Sequence, residues 1–278
     1  MRLAAIHTYP VKGCHRLDHD GARVEPWGLR GDRRWMVVDE DGVGVTQREV
    51  PALALIRPEP RPDGVLLRAA GRPDLTVPEP ADGDALPVRV FRHHAPAAAR
   101  VADAGAAEWL TVALDRKVRL VWLGDPTARS VPDTTFSAPA DRVSFADGFP
   151  LLLATTASLD AVNDALLASG SHEAPLPMAR FRPNLVVSGC RRPWQEEEWT
   201  GRRLRIGAAV FRVARPSPRC VVTTVDQETA EKGREPLRVL AAIHAVDQKL
   251  LFGQNIIPDG VTAGAEITIG DEVALAGD

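Results

Sequence analysis

Apolar residues in this chain come in short runs, and Pro, Gly or Asp cuts nearly every one of them. With 23 Pro and 22 Gly spread along the sequence, few windows are long enough for a helix of ordinary length. Strands of roughly four to eight residues fit between such breaks. The pattern predicts a mainly β fold with some α (α+β), barrel-like, with a few covering helices.

Residues 3–9 and 34–39 read as strands, Asp41-Gly42 as a hairpin turn, and 43–46 as the returning strand. Segments 65–69 and 75–77 read as a hairpin about Gly71, and 88–91 as a further strand. The Ala-rich stretch 97–114 predicts one helix, packed through Val101, Ala104, Trp109, Leu110 and Leu114. A strand over 118–123 is followed by a Pro-, Thr- and Asp-rich connection over 124–140. In the second half, 158–167 reads as a helix capped by Thr156 or Ser158, with Gly170 beyond its end. Strands follow over 184–188, over 203–206 with 209–214 about Gly207, and over 221–225. Pro236 opens a helix over 236–245, and 267–269 with 273–275 form a closing hairpin about Gly270-Asp271. Two domains are expected, 1–122 and 123–278.

The formal charge of −3 gives no argument for nucleic-acid binding. Cys14, Cys190 and Cys220 form no C-x-x-C pair and fit no iron–sulfur spacing. Unpaired cysteines in small, odd number suit a reducing compartment. The N-terminus shows no apolar signal run, and the longest apolar stretch, near 151–154, cannot span a bilayer. The protein is therefore expected in the cytoplasm. Seven histidines are present, but His7, His15 and His19 fit no metal motif, and the adjacent His93 and His94 diverge on regular structure.

Several segments could carry chemistry. Cys220 follows Pro216 and Pro218, which stiffen the backbone, and lies beside Arg219 and near Arg212 and Arg215. A cysteine on a stiff basic loop suits a soft-metal ligand or a nucleophile; a buried structural cysteine fits the same neighbourhood. In Tyr9-Pro10-Val11-Lys12-Gly13-Cys14, Lys12 supplies charge and Gly13 a backbone N–H that an anion can approach; a turn with a solvated lysine reads alike. Arg30, Arg33 and Arg34 precede Trp35, and Arg182 sits in Phe181-Arg182-Pro183-Asn184; arginine forks suit phosphate, or are ordinary surface charge. Thr155 and Ser158 could offer hydroxyls to an anion or cap a helix. Phe252-Gly253-Gln254-Asn255 reads as a loop or as two amides facing a heterocycle.

Together these segments resemble the MOSC superfamily preceded by its N-terminal β-barrel domain, and within it the amidoxime-reducing components and their bacterial relatives. The likeness is carried by Tyr9–Lys12, by Gly28-Leu29-Arg30 with Asp32–Val38, by Val45-Thr46-Gln47-Arg48, by residues 150–159, by Phe181–Cys190, by Arg219–Asp226, by Arg234-Glu235-Pro236-Leu237, and by Leu251–Gln254 with Gly270-Asp271. The resemblance implies a pterin-based molybdenum cofactor (Mo-molybdopterin), with Cys220 as metal-ligating and catalytic thiolate. Lys12, Arg33 and Arg182 match pterin- or phosphate-contacting positions, joined by Asn184, Thr155, Ser158 and Arg219. Gly13 stands where many relatives carry serine, so its N–H or Cys14 is expected to take over that hydroxyl's role. The ferredoxin-like domain of some relatives finds no counterpart here, which implies an external electron donor: a ferredoxin, flavoprotein or cytochrome b5-like protein. The implied reaction is reduction of N-hydroxylated small molecules, amidoximes or hydroxylamines. A cofactor carrier without turnover, and a barrel binding another small anion, are the alternatives.

Overall fold

The computed structural model describes residues 1–81, 85–260 and 264–276. Its largest sheet has nine strands, in the order Val273–Leu275, Arg203–Ile206, Ala209–Pro218, Lys249–Pro258, Leu151–Thr155, Leu185–Ser188, Arg2–Thr8 and Leu17–His19, with Ala245–Val246 paired to Lys249–Pro258. Neighbours run antiparallel except Leu151–Thr155 beside Leu185–Ser188, which are parallel and need a crossover. Helix α2 (Thr156–Ala168) lies on that crossover. Leu3, Ile6, Leu153, Leu185, Phe211 and Ile256 are buried together along this sheet.

A second sheet runs Ala85–Val88, Ala97–Val101, Arg119–Trp122, Trp35–Val38, Val11–Lys12. Helix α1 (Ala104–Leu114) covers it through Trp109, Leu110 and Leu114, packed with Trp35, Leu53 and Leu120. The chain passes from the first sheet to the second between Thr8 and Val11, and this short crossing sets Lys12 at the junction of the two. The shorter helix α3 (Leu237–Ile243) packs Leu240 with Phe181 and Phe252. Among the described residues no helix is long and apolar enough to cross a membrane.

The mixed α+β class holds, but the described strands form open ladders rather than a closed barrel. Between the penultimate strand Arg2–Thr8 and the residue ahead of the edge strand Val273–Leu275, one isolated bridge joins Arg2 and Glu272, with Leu3 N–H bonded to Asp271 O at 2.9 Å. The chain then leaves as Val273–Leu275 to pair with Arg203–Ile206. The expected closing hairpin is absent for the same reason: Glu266–Thr268 pairs instead with Gly21–Glu25.

Three other expectations are corrected. Residues 97–114 are a strand followed by a helix. Ala97–Val101 fills the gap between two strands, and Asp103 accepts the Ala106 N–H at 2.8 Å to start α1. The strand expected over 221–225 is a 3₁₀ turn, Val221–Thr224, whose Thr223 and Thr224 hydroxyls donate to the carbonyls of Cys220 and Val221 at 2.9 Å. Such side-chain bonds to nearby backbone outweigh the β preference of Val and Thr. Finally, Phe252-Gly253-Gln254-Asn255 lies within the ten-residue strand Lys249–Pro258.

Gly253 has φ +78°, and a Cβ there would stand 2.5 Å from Leu153 O on the neighbouring strand. Gly253→Ala is therefore expected to lower stability by about 2 kcal/mol or more, measurable by urea unfolding.

Candidate cofactor site

Residues from both large sheets line a cleft of about 320 Å³. Six of its side chains are basic (Lys12, Arg33, Arg48, Arg182, Arg215, Arg219), against one acid, Asp147. The way each cation is held decides what the cleft can do.

Arg33 and Arg182 both adopt left-handed backbone, φ 49° and 55°. Each lays its guanidinium against the buried ring of Tyr9, at 4.6 and 4.2 Å from the centroid. Tyr9 is itself fixed at both ends: its N–H donates to Asp32 Oδ1 at 2.7 Å and its hydroxyl to Pro183 O at 3.0 Å. The other Asp32 oxygen accepts from Arg33 Nη1, which also reaches Asn184 Oδ1 at 3.1 Å. Burial pulls Arg33 down, but Asp32, with Tyr9 and Asp147, outweighs it, so its pKa is raised. Arg182 lacks such a partner. It donates to Gln227 Oε1 (2.6 Å) and Cys14 O (2.9 Å), both neutral, and burial holds its pKa below the usual value.

Arg219 behaves like Arg182. Its Nη atoms donate to Ser217 Oγ and Phe181 O, its Nε is buried without a partner, and burial lowers its pKa. Lys12 is lowered by burial too, offset in part by its ion pair with Asp147. Burial alone would raise the Asp147 carboxyl, but Lys12, with Arg48 and Arg33 behind it, brings it down to about 2. The Asp147 side chain faces the open cleft, 57% exposed, so water screens much of this coupling.

Cys220 stands where the strand Ala209–Pro218 gives way to the 3₁₀ turn. Its backbone is extended, and the Arg48 Nη2 donates to its sulfur at 3.2 Å. A cationic donor aimed at sulfur complements a negative charge there.

The cleft brings together Lys12, Gly13, Arg33, Arg182, Asn184, Arg219 and Cys220 of the residues expected from the sequence. Asn184 has both ends of its amide engaged, its oxygen accepting from Arg33 and the Leu152 N–H and its nitrogen donating to His7 O, so it acts as a brace. Gly13 has φ +82°, and its carbonyl accepts from Gln47 at 2.6 Å. Cys14 does not face the cleft: it is wholly buried, and burial pushes its thiol up to about 12. Thr155 and Ser158 are not brought to the cleft either. Both are wholly buried, and both donate to the buried Glu196 carboxylate at the start of α2, at 3.0 and 2.7 Å. The sequence reading missed Asp147, the Gln47–Gln227 pair, and a direct role for Arg48. Gln47 and Arg48 lie inside a motif noted for other reasons, whereas Gln227 falls just beyond the Arg219–Asp226 block and Asp147 stands in an ordinary Asp-Gly turn sequence.

Half-buried guanidiniums, two of them held by neutral acceptors alone and one with a buried N–H left over, make a site short of negative charge. A phosphate-bearing group would supply that charge, and a lone cysteine at the edge of the same cleft is a soft donor. The residues present therefore fit the pterin-bound molybdenum that the sequence resemblance implies.

The buried thiol of Cys14 yields a test. Unfolded, it loses its proton from about pH 9.0; folded, it keeps it to about 12. Tyr9, raised by burial from 10.0 to about 12, adds to this effect. The stabilisation is full below pH 9 and is lost as pH rises toward 12, because the unfolded state binds fewer protons there. Cys14→Ala is expected to cost about 1 kcal/mol near neutrality yet to flatten the alkaline fall, as read from denaturation midpoints between pH 7 and 11.

Comparison with known proteins agrees with this geometry. The MOSC N-terminal beta barrel domain family matches residues 1–117, and the MOSC domain family matches 140–274. The mitochondrial amidoxime-reducing component 1 of Mus musculus is 32% identical, aligned over 99% of this chain and 82% of its own length. The human protein of the same name is 31% identical over 99% and 83%. Molybdenum cofactor sulfurase of Anopheles gambiae is 30% identical, with 98% of this chain matching 36% of that protein. Among solved structures, the YUAD protein of Bacillus subtilis aligns over 98% of this chain and 93% of that one, at 10% identity and a TM-score of 0.40; the assignment rests on the sequence relatives. The chain belongs to the MOSC family, in the group that includes the amidoxime-reducing components.

Proposed function

We propose that the protein is a molybdenum-cofactor-dependent reductase of N-hydroxylated compounds, with Cys220 as the protein ligand to the metal. The observation that carries the proposal is the meeting of the Cys220 sulfur with a cleft holding six basic side chains and one acid. The relatives' names supply the reaction class.

When bound, the cofactor supplies a two-electron centre able to take up the oxygen of the substrate. The chain's own residues do the rest. Arg182 and Arg219 offset the anionic cofactor from half-buried positions, and Arg33 braces the same region through Asp32 and Asn184. Lys12 ties Asp147 to the cleft wall, so part of the lysine's charge is answered within the chain. The overall change balances as R–NH–OH plus two electrons and two protons to R–NH2 and water.

The electrons come from a separate redox protein, of the ferredoxin, flavoprotein or cytochrome b5-like class. Cys14 lies in the core beneath the second sheet, Cys190 beside Met1, and Cys220 in the cleft, so no two thiols converge on one iron–sulfur cluster. Three free thiols suit a reducing compartment, and we place the protein in the cytoplasm. The likeness to molybdenum cofactor sulfurase favours a second reading, a cofactor holder without turnover.

Elemental analysis and pterin identification on the wild type and Cys220→Ala, with amidoxime turnover under an artificial donor, test both. The expected result is bound molybdenum in the wild type, and at least a ~100-fold loss of turnover with weakened metal retention in the variant. Undiminished metal and turnover in Cys220→Ala would sink the ligand assignment. Bound metal with no reduction of any N-hydroxylated compound would favour the holder. NAD(P)H alone is expected to sustain no turnover until a redox protein is added.

A further inference from the structure

We propose that Arg48 is a positioning residue for the Cys220 sulfur and sets the reduction potential of the metal that this sulfur holds. The inference rests on the reading of Cys220 as a metal ligand and adds a residue that acts through it.

Arg48 differs from the other cations of the cleft in what its head group touches. Arg33 is held by Asp32, Arg182 by Gln227 and Cys14 O, Arg215 by Asp133, Arg219 by Ser217 and Phe181 O, and Lys12 by Asp147. Among the described residues the Arg48 guanidinium donates to no oxygen and forms no ion pair; its hydrogen bond goes to Cys220 Sγ, at 3.2 Å. The side chain is aimed there by its surroundings. Its guanidinium lies over the Phe91 ring, 5.2 Å from the centroid, and that ring is stacked on His93 and meets His94 edge-on. Its carbonyl accepts from Lys232 Nζ at 3.0 Å. The neighbouring Gln47 is locked to Gln227 by two reciprocal bonds of 3.0 Å. Backbone and head group are thus fixed independently, and the fork points at sulfur.

An N–H bond to a ligating thiolate draws electron density away from sulfur and makes it a weaker donor, which favours the reduced metal and raises its potential. The positive charge acts in the same direction. Arg215 provides a comparison, because it lines the same cleft with the same charge but bonds Asp133 rather than sulfur. Lysine at position 48 would keep the charge but lose the planar fork.

The test uses the full chain loaded with cofactor. Potentiometric titration, followed by the paramagnetic molybdenum signal, is run on the wild type, Arg48→Gln, Arg48→Lys and Arg215→Gln, each with its molybdenum content. The expected result is unchanged metal content and a fall in midpoint for Arg48→Gln worth about tenfold in the one-electron equilibrium constant, ~59 mV. Arg48→Lys and Arg215→Gln shift less. An unmoved midpoint in Arg48→Gln, an equal shift in Arg215→Gln, or loss of molybdenum from folded Arg48→Gln would each overturn the proposal. The last would make Arg48 a cofactor anchor. If Arg48→Gln does not fold, an unmoved midpoint in Arg48→Lys overturns it. X-ray absorption separates the two levels of failure. Wild-type molybdenum without a cysteinyl sulfur, judged against Cys220→Ala, defeats the proposed function. With that sulfur present and the midpoints unmoved, this inference alone fails.

Discussion

Two guanidiniums packed against one buried tyrosine ring are the constraint around which the cleft is built. Arg33 and Arg182 repel each other in a region with little water, where like charges interact far more strongly than in bulk solvent. The Tyr9 ring offers both of them its electron-rich face. Its two ends also tie together segments remote in sequence: Asp32 through the backbone N–H, and Pro183 through the hydroxyl. Because Tyr9 lies on the crossing between the two large sheets, the same residue that gathers the charges also fixes how the sheets meet. The Gln227 that receives Arg182 is bonded to Gln47, and Gln47 to Gly13 O, so the loops carrying Arg48 and Cys220 are tied into the same network.

A buried arginine elsewhere in the chain shows what a purely structural one looks like. Arg180 is 4% exposed, donates to the carbonyls of Thr223, Thr224 and Glu235, and faces Glu173 and Asp226 at 3.3 and 3.5 Å. Its charge is answered by two carboxylates. Among the described residues Arg182 and Arg219 have hydrogen bonds but no carboxylate, and Arg219 retains a free buried N–H. Hydrogen-bonding capacity orients these side chains, while their charge is left for something else to neutralise. A fold tolerates that arrangement only if the cost is modest beside the whole, or if an anion binds the folded state and stabilises it by mass action.

Sequence reading succeeded where local chemistry decides the outcome and failed where tertiary pairing does. The Gly207 hairpin, the helix after Thr155 and the strand after Arg182 follow from turn residues, caps and alternation, and they stand in the structure. The division of 97–114 into strand and helix depends on two neighbouring strands leaving a gap, which no local pattern records. The same holds for Glu266–Thr268, whose partner lies more than two hundred residues earlier. In the site, charged residues inside compact motifs were legible. Thr155 and Ser158 carry the right chemistry for an anion, but Glu196 arrives from a distant segment and takes both hydroxyls. Asp147 joins the cleft only because the crossing strand sets Lys12 beside it.

Gly13 shows how backbone geometry limits which residue can stand at the cleft edge. At φ +82° a residue with a Cβ is strained by roughly 1–3 kcal/mol. A Cβ there would also rest 3.4 Å from Leu53, which is wholly buried beneath the second sheet. Glycine relieves the strain, and its carbonyl remains free to receive Gln47. Glycine brings no hydroxyl to the cleft edge, and Cys14 adds no donor there because its side chain lies in the core. Cationic donors stand nearby. Lys12 lies on one side of Gly13, and Gln47, which binds the Gly13 carbonyl, is followed directly by Arg48 on the wall of the same cleft. At this corner Lys12 supplies the positive charge, and the glycine backbone holds the loop that brings Arg48 to the Cys220 sulfur.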